Sequence, residues 1–248
     1  MAIARTAVEQ FFGDFVVKSG GQLVSSIISG STLPPNADYY FRDSAIIGEL
    51  KCLQIDSFGL NYQVKLQELV DSWMERRLYV LYGRTQIDIR QVPPICQREW
   101  MDLIGAPLQR NLLAPANRQI RETKKLLNLP NLKGILFLSS DGNNSLQPYD
   151  VMYFVSRTLN KTRQDGSRQY SNIDGIVYFS LSMLSRLPDI PVPIQFWTGG
   201  SRDSNDMETR EFIDRLEELW YKFQCQTIGQ PMPRIETTKD TLRNLKFI

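Results

Sequence analysis

Asp38, Glu49 and Lys51 are the residues of this chain whose types and spacing best suit chemistry. They stand in Asp38-Tyr39-Tyr40-Phe41 and, eleven positions further on, in Ile46-Ile47-Gly48-Glu49-Leu50-Lys51. The second stretch is apolar and carries two opposite charges where greasy side chains are expected. In an extended chain successive side chains point to opposite faces, so Glu49 and Lys51 share a face with Ala45, Ile47 and Leu53. Burying charges in a sheet is expensive unless they are paired or bound to a metal. Two carboxylates and an ammonium at one point suit metal-dependent phosphodiester hydrolysis. The carboxylates hold a hard cation, and the lysine orients the attacking water or neutralises charge at phosphorus. The plain alternative is a cross-strand ion pair on a solvated edge. At ordinary residue frequencies about two acid-x-Lys triplets are expected in a chain this long. Glu122-Thr123-Lys124 is a second one, in a charge-rich helical stretch. Context separates the two: the first lies in an apolar strand, with an aspartate upstream and a Gln- and Arg-rich helix downstream.

Composition removes many other chemistries. There is no histidine among the 248 residues, which excludes Ser-His-Asp and Cys-His catalysis, His-Cys zinc sites and histidine-nucleophile phosphodiesterases. Cys52, Cys96 and Cys225 are far apart and form no CxxC pair, the pattern of buried, reduced thiols in an intracellular protein. The formal charge is +2, so polyanion binding would use local basic patches. No apolar run approaches the roughly 20 residues of a membrane span. Met1-Ala2-Ile3-Ala4-Arg5 lacks a cationic region followed by an apolar block. The chain therefore reads as cytoplasmic, with no membrane partner. With 42% hydrophobic residues it can bury a substantial core as one domain over 1–248.

The elements that must position these residues follow from periodicity. Ala4, Ala7, Val8, Phe11, Phe12, Phe15 and Val16 form one helical stripe, ended by Gly20-Gly21. Residues 22–29 fit a strand or a helix turn equally. Pro34-Pro35 forces an extended entry into a strand at 37–42. A turn at 42–44 and a strand at 45–53 make an antiparallel hairpin. Residues 61–77 have helical spacing, 78–90 resembles a second hairpin, and the chain is loose from Pro93-Pro94 to about 112. Residues 56–112 read as an insertion rather than a domain. A helix covers 114–128, with Leu113, Ala116, Ile120 and Leu127 inward. A fully apolar strand at 134–138, a helix at 148–160 and a strand at 176–181 suggest a parallel crossover. A strand at 193–198 ends at Gly199-Gly200. The final helix starts at Asn205-x-x-Glu208, close to a capping box. A polar, basic tail from 229 reads as loosely ordered.

Helix, strand, a hairpin bearing Asp…Glu-x-Lys, helix, strand: this order resembles the core of the PD-(D/E)XK, or restriction-endonuclease-like, nuclease superfamily. Asp38 matches the first motif aspartate, with the preceding proline displaced in Pro35-Asn36-Ala37-Asp38. Glu49 and Lys51 match the second element. The match covers roughly 1–55 and 114–140. It implies an α/β fold, a mixed β-sheet flanked by helices, with an inserted helix/hairpin segment and a C-terminal helical extension. It implies Mg²⁺, for which Mn²⁺ can substitute, held by Asp38, Glu49 and the backbone carbonyl of Leu50. Lys51 would contact the nucleophilic water or the scissile phosphate. Members often add an acidic residue from the first helix, here Glu9 or Asp14, with Glu9 preferred. The helix after the motif would direct Gln119 to the site, and Arg118, Arg121 and Lys125 to DNA phosphates, each such contact steepening the salt dependence of binding.

The expected function is a Mg²⁺-dependent DNA nuclease acting in restriction, phage defence or recombination. Many members pair two active sites, which allows for a homodimer or a partner subunit. Two other readings compete: a catalytically inactive nuclease-fold subunit that binds DNA or protein, and an enzyme acting on RNA or a nucleotide.

Overall fold

Helix α1 (Arg5–Lys18) buries Val8, Phe12, Phe15 and Val16, the stripe its helical spacing demands, and leaves Asp14 exposed. It lies against a sheet whose strands alternate between two cores. The computed structural model describes residues 5–28, 35–53, 60–80, 87, 91–141, 147–181, 185–186, 196–229, 243–244 and 246–247. Residues 22–27 adopt both alternatives read for them, a two-residue strand β1 (Gln22–Leu23) and a single helical turn α2 (Val24–Ile27). Strands β2 (Tyr39–Phe41) and β3 (Ile46–Cys52) follow as the expected antiparallel hairpin. Helices α3 (Leu60–Glu75), α4 (Pro94–Leu108) and α5 (Ala114–Leu126) then lead to β4 (Lys133–Ser139). Helix α6 (Pro148–Leu159) crosses to β5 (Gly175–Phe179), parallel to β4 as expected. Beyond it come β6 (Ser185–Arg186), β7 (Trp197–Ser201), α7 (Met207–Ile228) and β8 (Lys246–Phe247).

The protein is thus mixed α/β, with a six-stranded mixed sheet in the order β1-β2-β3-β4-β5-β7 and helices on both faces. The β3, β4 and β5 strands run parallel, while the outer pairs are antiparallel. One face carries Tyr40, Ile47, Leu53, Leu136, Leu138 and Tyr178 against α4, α5 and α6. The other carries Tyr39, Leu50, Phe137, Val177, Phe179 and Trp197 against α1 and α7. Phe12 stacks on Phe179 at 4.7 Å and Phe15 meets Trp220 edge-on at 4.9 Å, so aromatic packing welds the two helices to this face. Burial on both faces explains the unbroken apolar runs of β4 and β5.

Four expectations need correction. The stretch to 112 is not loose: α4 continues through a π turn at 109–113 into α5. Cys96, Ile104 and Leu108 are buried at helical spacing, and Trp100 packs on Phe154 with ring centroids 5.4 Å apart. That packing outweighs Pro107, whose helix-interior cost is about 3 kcal/mol. Gly199-Gly200 lies inside β7 rather than ending it, because it pairs with Val177 and Ile176 on β5. Helix α7 is capped not by Asn205 but by Asp206, whose carboxylate accepts the Thr209 N–H at 3.1 Å. Ala45 is not on the Glu49 face, since it closes a 3₁₀ turn at 42–44 with left-handed φ 52°. The hairpin read over 78–90 lies largely outside the described residues, and 78–80 forms no strand. Most of the tail also lies outside them; its β8 pairs with β6.

One glycine is set by close approach. A Cβ on Gly48 would stand 2.5 Å from the Phe137 ring and 3.4 Å from Tyr39 Cβ. Phe137 is fully buried and packed on Phe12 at 5.0 Å, so it has no room to yield. Gly48→Ala is expected to destabilise the fold by about 1–3 kcal/mol in urea unfolding, as overpacked cores do. An unchanged midpoint would mean that β3 shifts at no cost.

Candidate active site

The tight β2–β3 connection decides which residues meet. Its register pairs Tyr39 with Gly48, so Asp38 and Glu49 are the next residues on the two strands. Asp38 donates its N–H to Gly48 O at 3.1 Å and its Oδ2 accepts the Leu50 N–H at 2.8 Å. Its carboxylate thereby caps the strand at the point where the ladder stops. Glu49, only 1% exposed, faces α5 from the same side of the sheet as Ile47. Lys51 follows two residues later on that face. Its Nζ donates to Glu49 Oε1 at 2.5 Å and to Gln119 Oε1 at 2.8 Å. Gln119 in turn donates from Nε2 to the Asn36 carbonyl at 3.1 Å. Asp38, Glu49, Lys51 and Gln119, four residues singled out from sequence, are therefore brought into one cluster.

Its electrostatics are those of crowded, buried carboxylates. Burial pushes the Glu49 carboxyl up to about 8, the neighbouring Asp38 adds to this, and Lys51 opposes it. Burial also raises Asp38, against the Leu50 N–H and Lys51, with Glu9 contributing in the same direction as burial. Half-buried Glu9 lies close enough to act on Asp38, whereas Asp14 is exposed. Of the two acidic residues flanking the α1 stripe, Glu9 is therefore the one whose charge reaches Asp38.

The buried Oε2 of Glu49 meets no donor group, and the carboxyl of Asp38 stands within hydrogen-bonding reach of Glu49. A proton or a cation has to sit beside it, because a bare buried carboxylate oxygen is too costly. This oxygen, the Asp38 carboxylate and the Leu50 carbonyl could together offer the hard, all-oxygen ligands that Mg²⁺ takes while keeping several waters. Among the described residues no three acidic, histidine or cysteine side chains gather as a metal cage. The protein's share would thus be two carboxylates and a backbone oxygen, with Glu9 supplying charge from farther out.

The three exposed basic residues of α5 are not part of the cluster, and buried Lys124 lies by Asp174 at 3.9 Å. Arg118, Arg121 and Lys125 are exposed, on the side of the helix turned away from the buried Ala116, Ile120 and Thr123. Arg121 and Lys125 both pair with Glu122, at 2.8 and 3.3 Å. Those bonds hold the Glu122 carboxyl below its usual range. A separate cleft of about 420 Å³ lies at the Lys133 end of β4, lined by the pairs Lys133–Asp206 at 2.9 Å and Arg168–Asp203 at 3.5 Å and by Asp174 and Glu208. Asp141, buried just past β4, accepts from Ser139 Oγ and from the Leu181 N–H. It serves as a clamp between the ends of β4 and β5.

Sequence reasoning passed over Thr123. Its fully buried hydroxyl accepts the Ala37 N–H at 2.7 Å and donates to Gln119 O at 2.9 Å. A threonine four residues after Gln119, on the same helical face, was the available signal.

No protein-family model, curated protein or solved structure matches the chain. The functional reading therefore rests on the site itself.

Proposed function

We propose that the protein is a Mg²⁺-dependent nuclease of restriction-endonuclease-like type that hydrolyses DNA phosphodiester bonds at the Asp38–Glu49–Lys51–Gln119 cluster. The observation that carries this reading is the buried Glu49 Oε2, left without a donor beside a second carboxylate. A buried carboxylate oxygen without a donor calls for a catalytic role, a proton, a water or an ion beside it; we read it as a cation shared with Asp38. Magnesium, when bound, supplies Lewis acidity and a water of lowered pKa. Asp38 and Glu49 hold the charge that attracts it. The Lys51 ammonium, only partly exposed, donates to an oxygen of the scissile phosphate as negative charge builds there. Gln119 fixes the lysine's direction through its amide oxygen. The water gives up a proton to solvent as its oxygen bonds to phosphorus, the bond to the leaving sugar oxygen breaks, and that oxygen takes up a proton from solvent.

One observation favours the second reading, a binding subunit without catalysis. Two of the three Lys51 N–H donors are taken by Glu49 and Gln119, and two of the four basic residues on α5, Arg121 and Lys125, pair with Glu122. Incubation of purified protein with plasmid, single-stranded DNA and RNA, with Mg²⁺ or Mn²⁺, separates the readings. The nuclease nicks or degrades DNA in a reaction that a chelator abolishes. Cleavage confined to RNA moves the substrate class. A folded protein that takes up Mg²⁺ yet cuts nothing is the binding subunit.

A further inference from the structure

We propose that Thr123 is a positioning residue of this site: by taking the Ala37 N–H, it keeps the Leu50 carbonyl free to act as a cation ligand. The inference rests on the metal-dependent nuclease reading and deepens it.

Strand β3 alternates its backbone groups between two neighbours. Leu53 donates to Ser139 O and Ala45 accepts from Lys133, so odd-numbered residues face β4 and even-numbered ones face β2. On the β2 side the pairs are Phe41–Ile46 and Tyr39–Gly48. A continuing antiparallel ladder would next pair Ala37 with Leu50 and exchange both of their backbone bonds. Neither bond forms. The Leu50 N–H goes to Asp38 Oδ2, and the Ala37 N–H goes to Thr123 Oγ1 at 2.7 Å. By the same alternation Leu50 O points to the β2 side, where Ala37 N–H would have been its ladder donor.

The diversion is built into α5. Asn36 O and Ala37 N belong to one peptide unit, and α5 grips both ends of it. Gln119 donates to the carbonyl at 3.1 Å, and Thr123 accepts from the amide. The Thr123 hydroxyl spends its own hydrogen on Gln119 O at 2.9 Å, which leaves a lone pair for Ala37. The gripped peptide is turned from β3 towards the helix. The Leu50 carbonyl is thereby denied its ladder donor, one residue along β3 from Glu49, whose buried Oε2 has no donor either. An N–H from Ala37 would occupy it, and a cation would then lose a ligand.

The experiment compares wild type, Thr123→Val, Thr123→Ser and the double variant Ala37→Pro/Thr123→Val. Valine preserves the shape and removes the hydroxyl, serine restores it, and proline deletes the competing N–H. Mg²⁺ is titrated by calorimetry and by the carbon-13 shift of the labelled Leu50 carbonyl, with folding checked by circular dichroism. Wild type and Thr123→Ser should bind alike and move the Leu50 signal. Thr123→Val should bind about tenfold or more weakly, the scale at which supports of metal ligands act, and leave the signal still. The double variant should recover both. A folded Thr123→Val with wild-type affinity and a moving Leu50 signal overturns the role of Thr123 alone. If that variant fails to fold, Ala37→Pro alone decides. Affinity within about threefold of wild type supports the proposal, and a loss of binding overturns it. A wild type that takes up no Mg²⁺ overturns the metal-dependent reading and this inference together.

Discussion

Lys51→Met and Glu49→Gln are each expected to lower Mg²⁺-dependent DNA cleavage by about 10²–10³-fold or more while the protein stays folded. The magnitude follows from deleting one preorganised charge aimed at the reacting phosphate in a water-poor site. Methionine keeps the apolar stem of Lys51 and removes the ammonium that holds Glu49 Oε1 and Gln119 Oε1. Glutamine keeps the shape of Glu49 but withdraws half of the side-chain anionic charge proposed to face the cation. The two losses should not add: once either group is gone, the arrangement it shares with the other has already collapsed. Single-turnover cleavage of a labelled duplex at saturating Mg²⁺ measures the effect. Urea unfolding of each variant, run beside it, separates lost chemistry from lost structure. Wild-type rates in both variants would mean that the cluster is structural and that the chemistry, if any, lies elsewhere.

Stability without divalent metal should fall as pH rises from about 5 to about 8, and addition of Mg²⁺ should reverse the trend. The Glu49 carboxyl is raised from 4.5 to about 8 in the folded protein. Between those values the native state keeps a proton that the unfolded chain has already lost, so each rise in pH favours unfolding. The slope from one such group approaches about 1.4 kcal/mol per pH unit. Asp38 is shifted in the same direction and steepens the lower end of the window. The chain has no histidine, so no other side chain ordinarily titrates there. Mg²⁺ binds the deprotonated pair, and its stabilisation should therefore grow with pH. Thermal or urea unfolding at a series of pH values, with chelator and with Mg²⁺, gives both curves. Glu49→Gln should flatten the chelator curve. A flat wild-type curve would mean that the two carboxylates are more open to solvent than their burial implies.

Much of the fold could be read along the chain because its signals are local. The α1 stripe and the buried face of α7 follow from a period of 3.6, the Asp38–Lys51 hairpin from two short strands about a turn, and β4 and β5 from unbroken apolar runs. The spacing of Asp38 and Glu49 needed only a short turn between two strands to become adjacency. Helix α4 was not legible, because Gly105 and Pro107 are local breakers and only packing on α6 overrides them. The strand at 197–201 was misplaced for a related reason: Gly199 and Gly200 have no strand propensity and are held by their partners on β5.

Residue types and spacing alone determined that this chain carries two carboxylates and a lysine able to meet on one strand face, and that histidine chemistry is excluded. Tertiary structure decided the rest. It left Asp14 exposed and Glu9 half-buried with its charge felt at Asp38, a difference between two residues flanking one helical stripe that spacing does not carry. It brought Gln119 to Lys51 and Thr123 to Ala37 across 68 and 86 residues of chain, distances over which no periodicity carries information. It also turned Arg118, Arg121 and Lys125 away from the cluster, because the face of a helix that meets a sheet is set by its buried residues and its charges take what remains.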